Sequence, residues 1–217
     1  MAPTNNKLFY SISKKILMSL TGLFLVVYLV IHLFGNMMIL GGRDLFNDYA
    51  ATLSANPIIQ AIEVILFAAF FLHIIDGIVL YFQNRKARGS EGYKKFKKPP
   101  SVAWASRRMP LSALVLLVFF ILHVNTFFVQ HKLIGGDMTL YDREVATFSE
   151  LWLVLFYVVS MVFLGFHIYH GFSSAFRTIG LSNNKYIGWL KDFGLALAII
   201  FTVGFSFLPL YVHFVLA

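Results

Sequence analysis

The sequence contains no cysteine and few charged residues. Without cysteine among its 217 residues, the chain itself cannot form disulfides, thiolate metal sites, cysteine-ligated iron–sulfur clusters or thioether-linked haem. Any redox cofactor on this chain would have to be held by histidine. Charged residues make up 13% of the chain, against roughly 25% in soluble domains, and 59% of the residues are hydrophobic. This composition indicates an integral membrane protein.

The motifs and loops of soluble-substrate enzymes are also missing. The sequence has no P-loop, no GxGxxG, no HExxH and no serine nucleophile elbow. None of the segments between its apolar runs is long enough to form a catalytic domain. We therefore expect that another subunit handles any soluble substrate, and that this chain has no catalytic residues of its own for one.

Five long apolar runs predict five transmembrane helices. A hydrocarbon core of about 30 Å requires about 20 apolar residues per helix. The runs cover residues 16–40, 57–83, 109–130, 149–176 and 188–215. Transmembrane strands would instead show alternating polarity over about 10 residues, so a barrel is disfavoured. The predicted fold is an all-α integral membrane protein with one domain over residues 1–217. The polar stretch after the first run predicts a short helix along the membrane surface.

The basic residues are concentrated on one side of the predicted topology, and the formal net charge is +8. Fifteen Lys and Arg lie before the first run or around the connections after the second and fourth, whereas only Arg43, Lys132 and Arg143 lie in the remaining loops. This asymmetry is typical of the positive-inside rule. It places the N-terminus and the 83–108 loop in the cytoplasm and the C-terminus outside, and it argues against nucleic acid as a partner. The same basic loop is also a candidate docking surface for a soluble partner or for anionic lipid.

Each of the first four runs carries a histidine well inside it: His32, His73, His123 and His167. An imidazole in hydrocarbon costs free energy unless it has a partner, so each is a functional-site hypothesis, with a hydrogen-bonded packing role as the alternative. Because successive helices alternate in direction, His32 and His123 fall in the outer half and the other two nearer the cytoplasm, in layers about 10 Å apart. Two histidines at one depth on facing helices can bind an iron from both sides of a porphyrin.

Glycines accompany the two deeper histidines. Gly77 and Gly171 each follow their histidine by four residues, which puts them on the same helix face and would leave room for a flat macrocycle. Small residues also pack transmembrane helices, so the glycines alone do not establish a site. His170 is a rival for the ligand position of His167, because depth does not separate the two. The remaining histidines are expected at the outer interface, and these are His131 and His213.

The chain resembles a known family over essentially its whole length. The most specific segments are SLTGLFLVVYLVIH in the first run, HIIDG in the second, ILHV in the third and HIYHGFSSAFRTIG in the fourth. They are similar to the five-helix, di-haem cytochrome b subunit that anchors succinate:quinone oxidoreductases and quinol:fumarate reductases. The resemblance implies two stacked b-type haems in a bundle of four helices. His32 and His123 would bind the distal iron, and His73 and His167 the proximal iron. The family's glycine four residues after the fourth ligand favours His167 over His170.

The resemblance also implies residues around the haems, and it contains one departure. Ser19 matches a position where a hydroxyl meets a proximal propionate. The implied haem surroundings are Ser19, Gly77, Trp104, Arg108, Gly171 and Arg177, the last of which could instead be only a topology-setting arginine. Some quinol-oxidising relatives have a glutamate two residues before the fourth ligand, where this chain has Gly165. Asp76, one turn after His73, is then a candidate for proton chemistry or a buried partner of a loop arginine.

The function implied by the resemblance is that of a respiratory anchor and electron-transfer subunit in a bacterial cytoplasmic (inner) membrane. Electrons would pass between a membrane quinone, with menaquinone expected, and an iron–sulfur subunit that docks with a flavoprotein subunit on the cytoplasmic face. Such heterotrimers are expected by analogy to form dimers. The direction, succinate oxidation or fumarate reduction, stays open. Quinone reduction takes protons as well as electrons, and the outer-half candidates for the quinone site are Asp48, Glu63, Asn125, Gln130 and His131.

Two other functions are compatible with the sequence. One keeps the haems but places the chain in a formate dehydrogenase or hydrogenase, whose catalytic subunits face outward. The other is a cofactor-free, proton-coupled transporter that uses the histidines as a proton relay. A transporter of that kind would have broken helices and a polar path at the membrane midplane, and the sequence contains little of either. The presence of haem separates the transporter from the other two.

Overall fold

The computed structural model describes the backbone of residues 4–88, 100–181 and 186–217, and the side chains of residues 12–87, 108–181 and 186–217. Over these residues the chain is almost entirely helical and contains no strand, which confirms the predicted all-α fold. The helices are α1 (Thr4–Asn36), α2 (Arg43–Ala55), α3 (Pro57–Arg88), α4 (Pro100–Val124), α5 (Leu140–Phe148), α6 (Leu151–Thr178) and α7 (Ile187–Tyr211). A 3₁₀ turn at Met37–Gly41 continues α1, and wide π-helical segments at Asn125–Leu133 and Val212–Leu216 continue α4 and α7.

Five of these helices are long and apolar enough to cross a membrane. Their spanning parts are Ile12–Gly41, Pro57–Ala87, Arg108–Leu133, Leu151–Thr178 and Ile187–Leu216. The five predicted runs are therefore confirmed, with borders that differ by a few residues. The short helix predicted after the first run is present as α2, which begins after Gly42, where a φ of 91° favours glycine and turns the chain out of the first span.

The third span begins at Arg108, close to the predicted Met109, but its helix begins earlier. The sequence suggested a helix from about Met109, with Pro110 tolerated in its first turn. Instead α4 begins at Pro100, where proline suits the first helical position, and Pro110 lies inside the helix. An internal proline removes one backbone hydrogen bond. Just beyond it, the Ser112 hydroxyl donates to the Met109 carbonyl oxygen at 2.9 Å, so a side chain supplements the backbone bonding of this turn.

The four helices that carry the deep histidines close into a ring. α1 packs against α3 and α6, and α4 packs against α6. The ring closes between α3 and α4 through aromatic side chains: Phe70 stacks on Phe120 at 4.5 Å, and Phe67 meets Phe128 edge-on at 4.8 Å. α7 lies outside this ring, with its main contact on α6. The histidine-bearing faces therefore meet inside the ring.

The contact between α6 and α7 is close because small residues lie at it. A Cβ atom on Gly165 would overlap the Thr202 hydroxyl, and it would lie 3.4 Å from the Ala198 carbonyl oxygen. The Thr202 hydroxyl donates across the contact to the Met161 carbonyl oxygen at 3.2 Å. Without hydrophobic driving force between helices in lipid, such close backbone approach and interhelical hydrogen bonding hold helices together. Gly165 is therefore a packing residue of this contact.

One end of the bundle is covered by a cap, formed by α2, α5 and the two π-helical segments. We call this the capped end, and the opposite end, where α1 begins, the open end. Arg43 pairs with Asp142 at 2.5 Å, and the Tyr141 amide donates to Asn47 Oδ1 at 3.1 Å. These two contacts join α2 to α5, so the cap is held by polar bonds between short surface helices.

Further bonds join the cap to the spanning helices. An Arg143 guanidinium nitrogen donates to the Gln130 carbonyl oxygen at 3.3 Å, and Lys132 forms an ion pair with Glu63 on α3. His213 Nδ1 lies 2.7 Å from the Phe148 carbonyl oxygen, which requires the proton on Nδ1 because a carbonyl only accepts. The cap is thereby fixed to α3, α4 and the end of α7.

Candidate functional site

The four deep histidines form two pairs inside the bundle. The rings of His32 on α1 and His123 on α4 have centroids 5.8 Å apart and planes at 86°. The rings of His73 on α3 and His167 on α6 have centroids 6.2 Å apart and planes at 66°. The structure thus brings together the same partners that the depth of the spans and the family resemblance had grouped. We call them the capped-end pair and the open-end pair.

The two pairs lie at different levels of the bundle. On α1, Thr21 contacts His73 of the open-end pair, and His32 of the capped-end pair follows eleven residues later. On α4, Ser112 contacts His167, and His123 again follows eleven residues later. Eleven residues of α-helix rise about 16 Å, so the layers lie farther apart than the 10 Å predicted from the borders of the spans.

Hydroxyl groups hold the rings of the open-end pair. The Thr21 Oγ1 lies 3.2 Å from His73 Nδ1 and 2.8 Å from the Leu17 carbonyl oxygen. The Ser112 Oγ lies 3.4 Å from His167 Nδ1, and the same hydroxyl donates to the Met109 carbonyl oxygen. Since each hydroxyl proton is used toward a carbonyl, the hydroxyl oxygen accepts from the imidazole. Both rings therefore carry their proton on Nδ1 and keep the lone pair on Nε2.

Aromatic rings surround the capped-end pair. Tyr28 stacks on His32 with centroids 5.1 Å apart, and its hydroxyl lies 3.2 Å from His32 Nδ1. Asn36 donates to the His32 carbonyl oxygen at 2.7 Å, with a longer contact of 3.4 Å to Nδ1. Phe119 stacks on His123 at 5.3 Å. Among the described side chains, His123 Nδ1 has no hydrogen-bond partner.

One glycine makes room for the ring of His73. A Cβ atom on Gly22 of α1 would lie 3.2 Å from His73 Cε1, so this glycine lets α1 approach the ring. The two glycines predicted to flank a macrocycle face methionines instead. A Cβ atom on Gly77 would lie 3.1 Å from Met18 Cε, and one on Gly171 would lie 3.7 Å from Met109 Cε. Methionine is flexible, so these positions can adapt to a neighbour of another shape.

The other residues implied around the haems lie toward the open end. Ser19 is buried and donates to the Lys15 carbonyl oxygen at 2.8 Å within α1. Arg108 and Arg177 are exposed, at the beginning of the third span and in the last turn of α6. Trp104 lies in α4 but outside the residues whose side chains are described. His170, the rival ligand, lies one turn beyond His167, and the ring found beside His73 is that of His167.

The quinone-site candidates are spread over the capped end. Asp48 and Asn125 are exposed, and His131 is half-buried. Glu63 is engaged in its ion pair with Lys132. The Gln130 carbonyl oxygen accepts from Arg143, as described above. The structure distributes these residues over α2, α3 and the segment after α4, so they do not share one helix face.

Asp76 lies at the level of the open-end pair. It is one of the few buried acids, with 7% of its surface exposed, and its Oδ2 has no hydrogen-bond partner among the described residues. The position where some relatives carry a glutamate is Gly165, which is buried against α7 as described above. A glutamate would not fit there without moving Thr202.

Two polar residues at the capped end were not singled out by the sequence. Glu144 on α5 is 6% exposed, and burial raises the pKa of its carboxyl to about 8. Tyr157 on α6 is buried, and its hydroxyl has no partner among the described residues. Glu144 lies one turn from both Tyr141 and Phe148, on the buried face of α5, so the helical period of this segment was the available signal.

Comparison with known proteins adds no relative. No protein-family model matches the chain, and no curated protein or solved structure is significantly similar to it. The chain is therefore assigned, on its structure, to the helical membrane proteins with five spanning helices. Any finer assignment depends on the geometry of the histidine pairs.

Proposed function

We propose that this chain is a di-haem cytochrome b, the membrane anchor and electron-transfer subunit of a succinate:quinone oxidoreductase or quinol:fumarate reductase. The observation that carries the proposal is the spacing of the two histidine pairs, 5.8 and 6.2 Å between ring centroids. Two imidazoles on opposite sides of one metal ion, with metal–nitrogen bonds of about 2.0 Å, have centroids about 6 Å apart. The spacing therefore suits an iron with one axial imidazole from each of two helices.

The hydrogen bonds at the open-end pair support the same proposal. A metal-binding histidine usually donates its other ring proton to an oxygen, which fixes the tautomer and the ring orientation. Thr21 and Ser112 accept such protons from Nδ1 of His73 and His167. Their Nε2 lone pairs are then available to a metal.

The number of ligands favours haem over a free metal ion. Each pair contributes two imidazoles. Two imidazoles are few ligands for a free ion, but a haem b needs no more from the protein, because the porphyrin supplies the other ligands of its iron. Each pair would therefore hold one haem b.

Bound haem would supply reversible one-electron transfer between iron(III) and iron(II). His32 and His123 would hold one iron near the capped end, and His73 and His167 would hold the other near the open end. The bundle would keep water away from both. Electrons would then cross the membrane between a quinone at the capped end, menaquinone by analogy, and a partner at the open end. The proposed docking surface for the iron–sulfur and flavoprotein subunits comprises Lys14, Lys15 and Arg177 at the open end, together with the basic 83–108 loop, of which residues 89–99 lie outside the described part of the chain.

A reduced-minus-oxidised absorption spectrum of the purified chain tests the haem proposal. The expected result is a b-type signal with two haems per chain. Absence of any haem signal would reject the proposal and would favour a cofactor-free transporter.

Single substitutions of the four histidines test the pairing. His32→Ala or His123→Ala should remove the capped-end haem only, and His73→Ala or His167→Ala the open-end haem only. His170→Ala is the matched control, one turn from His167 on the same helix, and it should keep both haems. Loss of a haem on His170→Ala alone would overturn the choice of ligand.

Purification of the tagged chain from its native membrane tests the partners. A flavoprotein and an iron–sulfur subunit should co-purify, with succinate-reducible or fumarate-oxidisable haem. A molybdenum-containing or nickel–iron partner would place the chain in a formate dehydrogenase or hydrogenase instead.

A further inference from the structure

A buried acid at the capped end has no part in holding the cap together. The ion pairs of the capped end use Asp142 with Arg43 and Glu63 with Lys132. Glu144 lies between these surface groups and the bundle interior, on the buried face of α5, and is 6% exposed. A carboxyl in such a place costs free energy that an apolar residue would not, so its presence needs another explanation.

Two further polar groups connect this acid with the capped-end pair. Glu144 lies one helical turn before Phe148 on α5, and the Phe148 ring packs edge-on against the ring of Tyr157. The Tyr157 ring lies in turn 6.1 Å from the ring of His123, between Phe119 at 5.0 Å and Phe148 at 4.9 Å. Among the described residues, the Tyr157 hydroxyl and His123 Nδ1 are both buried without a hydrogen-bond partner. Glu144, Tyr157 and His123 are therefore three polar groups, surrounded by aromatic rings, that lie between the cap and the His32–His123 pair.

We propose that Glu144 is the proton-exchange site of the His32–His123 pair. Its carboxylate takes one proton from the aqueous face of the cap when one electron reaches this pair, and its carboxyl gives the proton back when the electron leaves. The proposal rests on the proposed function, in which electrons pass in either direction between a membrane quinone at the capped end and the open-end pair. Charge balances at each step, because one electron and one proton arrive together and depart together.

The physical reason is compensation of charge in a medium of low dielectric constant. At an effective dielectric constant of about 20, one unit charge about 10 Å away changes a proton affinity about tenfold. Burial already raises the pKa of Glu144 to about 8. A tenfold change in its proton affinity therefore changes its protonation state in the range around neutral pH. The Tyr157 hydroxyl needs no change of charge, since it can donate and accept at once.

Other charged groups lie on the elements that pack against α5, and most are engaged in cap contacts. Arg43 and Asp142 pair with each other, Arg143 donates to the Gln130 carbonyl oxygen, and His213 binds the Phe148 carbonyl oxygen. His131 is the imidazole for which no such contact is described, and free imidazoles titrate at about pH 6.5, so it is the alternative to exclude. The charged and titratable groups on α5 and on the elements packed against it include Arg43, Asp44, Asp48, His131, Lys132, Asp142, Arg143, Tyr157 and His213.

Redox titration of the haems in the intact complex, at pH values on both sides of 8, tests the proposal. The midpoint potential of the haem lost in His123→Ala should fall as pH rises, with a slope of about 30 mV per pH unit, because a tenfold change in proton affinity gives about half of the full 59 mV. Glu144→Gln should flatten this slope. His131→Gln and Glu150→Gln, the latter an exposed acid just after α5, should retain it. A slope unchanged in Glu144→Gln would overturn the proposal and leave the di-haem assignment intact.

Infrared difference spectroscopy of the wild-type complex gives a second readout that needs no variant. The reduced-minus-oxidised spectrum should contain a protonated carboxyl C=O band, and this band should disappear in Glu144→Gln and persist in Glu150→Gln. Absence of such a band in the wild type would reject the proposal even if Glu144→Gln failed to fold. Absence of haem would reject both this proposal and the proposed function, whereas haem with a pH-independent potential would reject this one alone.

Discussion

At the scale of single residues, the two histidine pairs are held in different ways. The open-end rings are oriented by hydroxyls that have already used their own protons on backbone carbonyls. At the capped-end pair, His32 has both stacking and a hydroxyl contact from Tyr28, whereas His123 stacks on Phe119 and its Nδ1 has no hydrogen-bond partner among the described residues. An imidazole that donates from Nδ1 to an oxygen is a more basic ligand. The two proposed haem sites should therefore differ in affinity and potential, because only the capped-end pair contains a histidine without such a bond.

Ser112→Ala tests the orienting hydroxyl. It removes the acceptor for His167 Nδ1, and loss of such a partner typically weakens metal binding by about 10- to 100-fold. Haem titration should show weaker binding at the open-end pair and unchanged binding at the capped-end pair. Ser160→Ala is the control, because Ser160 is a buried serine that bonds only along its own helix, to the Phe156 carbonyl oxygen. Equal haem affinity in Ser112→Ala and Ser160→Ala would contradict the role of Ser112.

Gly22→Ala tests the space beside His73. The added Cβ would lie 3.2 Å from His73 Cε1, close enough to shift the ring. The expected result is reduced occupancy or an altered spectrum of the open-end haem alone. Gly188→Ala is the matched control, since a Cβ on Gly188 meets nothing within 4 Å. A normal open-end haem in Gly22→Ala would show that the ring tolerates the methyl group.

The histidines themselves were predictable, and their partners were not. A histidine inside an apolar run is visible in sequence because of its cost in lipid. Thr21 and Ser112 are small polar residues 52 and 55 positions away from the rings that they contact, and such residues occur in many spanning helices. Their role depends on how α1 and α4 are rotated against α3 and α6, and the sequence alone does not specify that rotation.

At the scale of helices, the close contact of α6 with α7 should be sensitive to one methyl group. Gly165→Ala places a Cβ against the Thr202 hydroxyl, and such overpacking typically costs about 1–3 kcal/mol. Thermal unfolding in detergent should show a lower midpoint for Gly165→Ala. The double variant with Thr202→Ala should recover much of the loss, because the clashing hydroxyl is gone. If the two substitutions lower the unfolding midpoint additively in the double variant, a direct contact between positions 165 and 202 is contradicted.

The cap helix α5 should make stability depend on pH through Glu144. Burial raises the pKa of this carboxyl in the folded chain to about 8, above its ordinary value of about 4.5. The raised pKa means that the folded chain favours the protonated carboxyl. Protonation of Glu144 therefore stabilises the folded state fully below about pH 4.5, and this stabilisation is lost as the pH rises toward 8. The free energy of unfolding changes by at most about 5 kcal/mol over this pH range. Unfolding midpoints of the wild type should fall over this range, whereas those of Glu144→Gln should fall less. Parallel curves would show that Glu144 is not buried as a neutral acid.

Helix positions were predicted more accurately than helix ends. The five spans follow from hydrophobic length, which the bilayer fixes at about 20 residues. The start of α4 at Pro100 and the short α5 were not predicted, because helix ends depend on caps and tertiary contacts. Thr139 illustrates this for α5, since its hydroxyl accepts from the Asp142 amide at 3.2 Å and begins the helix. Such a cap is recognisable once the helix is known, but threonines are common in loops.

At the scale of the whole molecule, five apolar helices within the described residues predict that the chain ends lie on opposite sides of the membrane. The capped end joins α2, α5 and the C-terminal segment, and the open end collects the beginning of α1 and the end of α6. Among the described basic residues, Lys14, Lys15, Arg108 and Arg177 lie toward the open end. The positive-inside rule then predicts that the open end faces the cytoplasm and the cap the opposite side. This orientation would also expose the basic open end to soluble partner subunits.

The absence of cysteine makes this topology directly testable. Asp137 lies in the exposed loop before α5, and Thr178 is exposed at the end of α6. Asp137→Cys should react with a membrane-impermeant maleimide added to intact spheroplasts, whereas Thr178→Cys should react only after the membrane is opened. The wild type supplies a background without thiols, so any labelling reports the introduced residue alone. The reverse pattern would place the cap in the cytoplasm. The docking surface for an iron–sulfur subunit would then have to lie on the cap, and the pairing of basic charge with a soluble partner would no longer support the proposed function.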